Sequence, residues 1–198
     1  MNKQTFAKLV LFGLAGCFST VQAANLSIQL PNNSNLYTTT VGSFFDAKIY
    51  VDTLPDFAGF DINLTYNNAN LSAVSLTSAS IFGAANTETF ANEITPGNIH
   101  LAEAIAGTSA LVSGLQITNP TLLGTVRFKA LKTDLNNLIN FSNPAPEMYT
   151  FDNTPFGFSM LGANVTINAA PVPLPASIFL FVPGLLAVFG KRRSKVTV

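Results

Sequence analysis

The sequence has no tryptophan, one histidine and one cysteine. A lone His100 cannot supply a paired-histidine metal spacing, and neither H-E-x-x-H nor a Cys/His ligand pattern occurs. Cys17 lies in an apolar N-terminal run, so residues 24–171 contain no cysteine and no disulfide holds them together. The glycines are scattered and form no phosphate-cradling loop, and no G-x-S-x-G elbow is present. His100 alternates with Ala102 and Ala104 in a strand-like stretch, which reads as a structural position. Asp46 and Asp52 are six residues apart on one strand, hence about 20 Å apart, too far for a glycosidase pair at roughly 5–9.5 Å.

Cations are scarce where they would matter most. Of ten Lys and Arg, six belong to the chain ends: Lys3, Lys8, Lys191, Arg192, Arg193 and Lys195. Lys48, Arg127, Lys129 and Lys132 face ten acidic residues between Asp46 and Asp152, a formal charge of −6 for the central region. That balance lacks the basic footprint of a nucleic-acid binder, so no nucleic-acid partner is expected. Glu147 and Asp152, with Asn143 and Asn153, could offer oxygen ligands to Ca²⁺. No EF-hand spacing occurs, a solvated acidic loop is the simpler reading, and no cofactor or metal is expected.

The two ends read as targeting segments. Lys3 and Lys8 precede an apolar run from Leu9 to Phe18 and a small-residue stretch ending at Ala23. This is a signal peptide, residues 1–23, with cleavage between Ala23 and Ala24. Leu14-Ala15-Gly16-Cys17 offers a competing lipobox that would make Cys17 the lipidated first residue. At the other end Val172-Pro173-Leu174-Pro175-Ala176-Ser177 leads into 15 uncharged residues, Ala176 to Gly190, and then the basic stop. As a helix this run spans roughly 22 Å against a bilayer core of about 30 Å. The basic cluster keeps the last residues cytoplasmic and leaves everything before Val172 outside. Pro173 and Pro175 hold the approach to the membrane extended. A plain membrane anchor is the alternative reading.

Between the ends, period-two alternation predicts strands with one buried face. Phe45, Ala47, Ile49 and Val51 oppose Asp46, Lys48, Tyr50 and Asp52. Phe60, Ile62, Leu64 and Tyr66 oppose Asp61, Asn63 and Thr65. Leu122, Val126, Phe128 and Ala130 oppose Thr125, Arg127 and Lys129. Leu161, Ala163, Val165 and Ile167 oppose Asn164 and Thr166. Weaker strands are expected at Leu26–Leu30, Leu71–Leu76, Ile99–Ile105 and Leu138–Phe141. Turn-rich loops are expected at Pro31–Asn35, Asn67–Asn70, Gly83–Gly97, Gly114–Pro120 and Ser142–Pro155. Eight or nine short strands indicate an all-β fold, a single antiparallel β-sandwich over residues 24–171. Phe44 and Tyr50 point away from the buried set of their strand and are the candidate ligand-face residues, since an exposed ring offers apolar area to a sugar or a partner.

Two family resemblances follow from these residues. The layout of residues 172–198, a Pro motif, a short apolar helix and a basic end, resembles the PEP-CTERM sorting signal handled by exosortase in Gram-negative bacteria, with Leu174 where many members carry Glu. The Leu174-Pro175-Ala176-Ser177-Ile178 stretch lacks the Thr-Gly of a sortase signal. The run Val41-Gly42…Ala47-Lys48-Ile49-Tyr50-Val51, then Phe57 to Tyr66 and Leu71, resembles the first half of a cohesin domain. Gly124-Thr125-Val126-Arg127-Phe128-Lys129-Ala130 resembles its later G-x-(I/V)-x-F-x-A strand, and Asn164–Ile167 its closing strand. Where such domains often carry Tyr-Asp-Pro, this chain has Tyr66-Asn67-Asn68. The resemblance implies a nine-stranded jelly roll related to some carbohydrate-binding modules. Cohesins bind dockerins, but no dockerin-contacting residue maps onto this sequence.

The expected function is therefore that of an exported, non-enzymatic binding module. It would be anchored in the inner membrane through its tail, processed by exosortase, then displayed at the cell surface or in the matrix, with a polysaccharide or a secreted protein as partner. A self-associating biofilm-matrix protein is the alternative, and a secreted hydrolase a remoter one.

Overall fold

The computed structural model describes residues 24–142 and 145–172. Thirteen strands are assigned: β1 (Ala24–Gln29), β2 (Leu36–Thr40), β3 (Phe44–Asp52), β4 (Leu54–Tyr66), β5 (Leu71–Ser78), β6 (Thr87–Thr95), β7 (Asn98–Ile105), β8 (Leu115–Ile117), β9 (Thr121–Ala130), β10 (Asp134–Phe141), β11 (Glu147–Thr150), β12 (Phe158–Leu161) and β13 (Ala163–Asn168). Among the described residues no helix is long and apolar enough to cross a membrane. The signal peptide expected through Ala23 lies outside the described residues. So do Pro173, Pro175, Ala176 and Ser177 of the sorting motif, and the basic stop at Lys191, Arg192, Arg193 and Lys195.

The strands form two sheets. The first runs β12-β1-β3-β9-β5, and the second β2-β13-β10-β4-β7-β6, with β8 and β11 also paired to the long β4. All pairings are antiparallel except β1 with β12 and β2 with β13. These two arise together. The chain passes from β1 in the first sheet to β2 in the second, and its C-terminal part repeats that passage from β12 to β13 alongside. Gly162 makes the second crossing. A Cβ there would collide with the Asn140 side chain and the Ile139 carbonyl, so only glycine fits.

The alternating residues meet between the sheets as expected. Phe45, Ala47, Ile49 and Val51 of β3 pack against Phe60, Ile62, Leu64 and Tyr66 of β4, all buried. Phe128 of β9 stacks on Phe45 at 5.6 Å and meets Tyr66 edge-on at 5.2 Å. At about 25 cal/mol per Å² of apolar surface removed from water, this layer is the main source of stability in a disulfide-free domain.

Four expectations need correction. Leu123, not Leu122, fills the core at the start of β9, because the β3–β9 ladder slips by one residue between Ile49 and Tyr50 and inverts the parity. Leu161 is exposed, since it ends β12 in the first sheet and does not belong to the inward series of β13. The strand expected over Leu138–Phe141 begins earlier, at Asp134, and a register shift between Asp134 and Asn137 turns Asn137 inward and leaves Leu138 exposed. The stretches Gly83–Gly97, Gly114–Pro120 and Ser142–Pro155 are not wholly loop, because they contain β6, β8 and β11.

Candidate functional site

His100 and Asp61 sit on neighbouring strands of the second sheet, on its outer face. The His100 Nε2 donates to Asp61 Oδ1 at 2.9 Å, and Asp61 also accepts from Asn63 Nδ2 at 3.1 Å. Both side chains are well exposed, at 38 % and 42 %. Among the described residues no hydroxyl or thiol is hydrogen-bonded to the ring, so the pair lacks the nucleophile an acyl-transfer site needs. A cleft of about 300 Å³ beside Gly59, in the middle of β4, is lined by Ala104, Ser109, Tyr149 and Phe151 among others, and none of its lining residues is charged.

Of the oxygen ligands considered for Ca²⁺, Glu147, Asp152 and Asn153 fall among the described residues. Asn143 lies outside the described residues. Glu147 belongs to β11 and accepts from the Tyr149 hydroxyl. Asp152 is exposed in the turn beyond. Among the described residues no group of three His, Cys, Asp or Glu side chains is placed to hold a metal ion.

The outer face of the first sheet is better furnished. Phe44 and Tyr50 stand at opposite ends of β3, with Asp46 and Lys48 between them on the same side. Phe44 is 49 % exposed and Tyr50 half-buried. The β3–β9 register sets Phe44 opposite Lys129 and Asp46 opposite Arg127. The Arg127 guanidinium lies 5.4 Å from the Phe44 ring centre and the Lys129 ammonium 5.6 Å, both within cation–π range. Beside them a cleft of about 400 Å³ is bounded by Pro31 and Asn33 of the β1–β2 turn and by Phe44, Asp46, Lys48 and Arg127. Among the described residues the sole ion pair is His100–Asp61, so Lys48, Arg127 and Lys129 have no carboxylate within 4.0 Å. Alternation alone marks Phe44 and Tyr50 as outward-facing. It also marks Arg127 and Lys129 as outward, but their meeting with Phe44 depends on a pairing across some eighty residues, which the sequence does not display.

The targeting residues that fall within the described region lie at the margins of the sandwich. Ala24 opens β1, buried and in register with Phe158. Past Asn168 the chain leaves the second sheet, and Val172 is 84 % exposed.

The family model of the cohesin domain matches residues 34–146, more than half of the chain. This chain belongs to the cohesin domain family. No curated protein matches its sequence. Solved cohesins share its fold at low identity. A type II cohesin from the Acetivibrio cellulolyticus cellulosome is 18 % identical with a TM-score of 0.58, over 72 % of this chain and 95 % of the other. A non-cellulosomal cohesin from the archaeon Archaeoglobus fulgidus is 11 % identical with a TM-score of 0.56, over 80 % and 97 %. A type I cohesin solved in complex with a dockerin, from Clostridium thermocellum, is 12 % identical with a TM-score of 0.58, over 75 % and 95 %.

As a cohesin domain the chain is a non-catalytic interaction module, in keeping with the bare His100–Asp61 pair. Its departures from the common pattern are structurally answered. In Tyr66-Asn67-Asn68, Asn67 Oδ1 accepts from the Ala69 N–H at 3.0 Å and the Asn67 carbonyl from the Leu71 N–H at 2.9 Å, so the amide closes an Asx turn as an aspartate would. The glycine that begins the Gly124–Ala130 strand is required by the opposite sheet, because a Cβ on Gly124 would come within 2.6 Å of a Leu101 methyl.

Proposed function

We propose that this cohesin is an exported binding module that exosortase trims at its C-terminus and that then engages a protein partner at the cell surface or in the extracellular matrix. The observation that carries the binding half is family membership across a catalytically empty sandwich. Related cohesins have been solved in complex with dockerins, and a dockerin-like module is the first partner to test. The export half rests on the sequence of the two ends. What supports it among the described residues is that the chain past the closing strand is exposed as far as Val172, the first residue of the motif.

Mass-spectrometric mapping of both termini, on protein from the native host, tests the export half. A new C-terminus near 173–177 that disappears when exosortase is deleted supports sorting. An intact end at Val198 makes the tail a plain anchor, and an N-terminus at lipidated Cys17 replaces cleavage after Ala23. Affinity capture with immobilised full-length chain from a secreted-protein extract, followed by pairwise binding of each recovered protein, tests the other half. Recovery of no direct binder sinks the protein-partner reading.

A further inference from the structure

We propose that the outer face of the first sheet is a binding site for a carboxylated glycan, held by Lys48, Arg127 and Lys129 around the ring of Phe44. The site relies on the export reading only for where such a glycan would be met.

The central region carries four basic residues against ten acidic ones, yet three of the four basic residues share this face. In a chain so rich in carboxylates each could be expected to pair. Among the described residues none does. Arg127 and Lys129 are gathered on one aromatic ring instead, which holds two like charges close together without neutralising either. A negative group bridging them relieves that repulsion, and the fork of a guanidinium matches a carboxylate in two parallel hydrogen bonds.

The rest of the face decides between a glycan and a protein. The cross-strand partners of the three cations are polar: Gln29 and Thr125 flank Lys48, Ser75 lies beside Arg127 and Ser72 beside Lys129. A protein interface normally centres on a fully buried apolar core; here the apolar side chains stand at the ends, Phe44 at one and Tyr50, Leu122 and the exposed Leu161 at the other, and the middle of the face is charged and hydroxyl-bearing. A polymer bearing hydroxyls on every unit suits that middle. Asp46, between Phe44 and Lys48, repels an anion but accepts well from sugar hydroxyls. It therefore favours a ligand that mixes acid groups with hydroxyls over a plain polyanion. The 400 Å³ cleft between Asn33, Phe44 and Lys48 gives the ligand one concave foothold on an otherwise flat surface. The lysine–arginine row lies across two strands, β3 and β9, so the chain of the glycan would run obliquely over the sheet.

The test is affinity electrophoresis of the full-length chain in mild detergent through gels containing polygalacturonate, a carboxylated glycan, or unsubstituted dextran. Polygalacturonate should retard the protein, dextran should not, and 0.5 M salt should release it because exposed charges are screened at that ionic strength. The paired change Arg127→Gln and Lys129→Gln should weaken retardation about tenfold or more, whereas Lys132→Gln should leave it unchanged. Lys48→Gln, a single exposed change, should give a partial loss and serves if the paired variant alters the circular dichroism spectrum. Absence of retardation by polygalacturonate, equal retardation by dextran, or indifference to Arg127, Lys129 and Lys48 overturns the proposal. So does loss of a captured secreted protein in the same variants without any polygalacturonate binding, which would assign the face to a protein.

Discussion

Gly124→Ala offers a sharp test of how the two sheets are packed. Replacing glycine by alanine ordinarily stabilises by about 0.4–1 kcal/mol where the backbone permits, since it restricts the unfolded chain. At Gly124 the new Cβ would stand 2.6 Å from Leu101 Cδ2 and 3.2 Å from the Thr77 carbonyl oxygen. Leu101 is completely buried and belongs to the opposite sheet, so its methyl cannot swing into solvent. Overpacking of this kind costs about 1–3 kcal/mol, which exceeds the entropic gain and reverses the sign. With a urea m-value of about 1–3 kcal/mol/M, the midpoint should fall by roughly 0.5–1 M. Leu101→Ala on its own removes a buried side chain and should cost about 2–5 kcal/mol. It also removes the methyl that the new Cβ meets. The double variant should therefore be more stable than the sum of the two losses, by about 1 kcal/mol. Urea titration of residues 24–172, followed by far-UV circular dichroism, gives all four corners of the cycle. A Gly124→Ala midpoint at or above the parent, or additivity within about 0.5 kcal/mol, would refute the close approach of the sheets at this point.

Other changes probe the buried polar groups. Asn137 is buried and donates to the Val165 carbonyl at 3.1 Å and the Asp134 carbonyl at 3.3 Å. Asn137→Asp turns that donor into a third oxygen and should cost about 3 kcal/mol or more, seen as a lowered urea midpoint. Glu103 is 1 % exposed, pairs in register with Phe60, and has an Oε2 without a hydrogen-bond partner. Glu103→Gln should raise stability by about 1 kcal/mol or more, and a loss would mean that the carboxylate has a partner worth keeping. His100→Ala removes one half of an exposed pair and should change stability by no more than about 1 kcal/mol. It should leave partner binding and glycan retardation intact.

The strands that could be read from sequence are those with one face wholly in the core. Phe45 to Val51 and Phe60 to Tyr66 alternate without fault because both strands lie inside their sheets. β6 was hidden for the opposite reason. It is an edge strand paired only to β7, and its residues Glu88 to Phe90 are all exposed, so no alternation marks it. β8 and β11 have three and four residues, too few to establish a period. Leu122 and Leu123 show a different limit. Two adjacent leucines satisfy either parity, and the slip that selects the second lies in the pairing with β3. The candidate site follows the same logic. Phe44, Lys48 and Tyr50 are legible as outward residues of one strand, whereas Arg127 and Lys129 come from β9, and only the register brings them to Phe44.

The outer face of the second sheet is the counterpart of the cation-bearing face. Registers place Glu147 beside Asp61 on one side of β4, and both Asn63 and Glu93 beside His100 on the other, so three carboxylates share this face. Asp61 has His100 and Asn63 as hydrogen-bond partners. The exposed Glu93 and Glu147 have no basic residue within ion-pair distance among the described residues. Like charges across neighbouring strands destabilise a sheet. Glu93→Gln with Glu147→Gln should therefore raise the urea midpoint at low salt, and the gain should vanish at 0.5 M salt, where exposed charges are screened. A lowered midpoint, or a gain indifferent to salt, would show that the carboxylates are stabilised locally and that their gathering carries no cost. A surface that served solubility alone would intersperse its charges. Here, among the described residues, unpaired cations stand on one face and the unpaired Glu93 and Glu147 on the other, with a core about 10 Å thick between them.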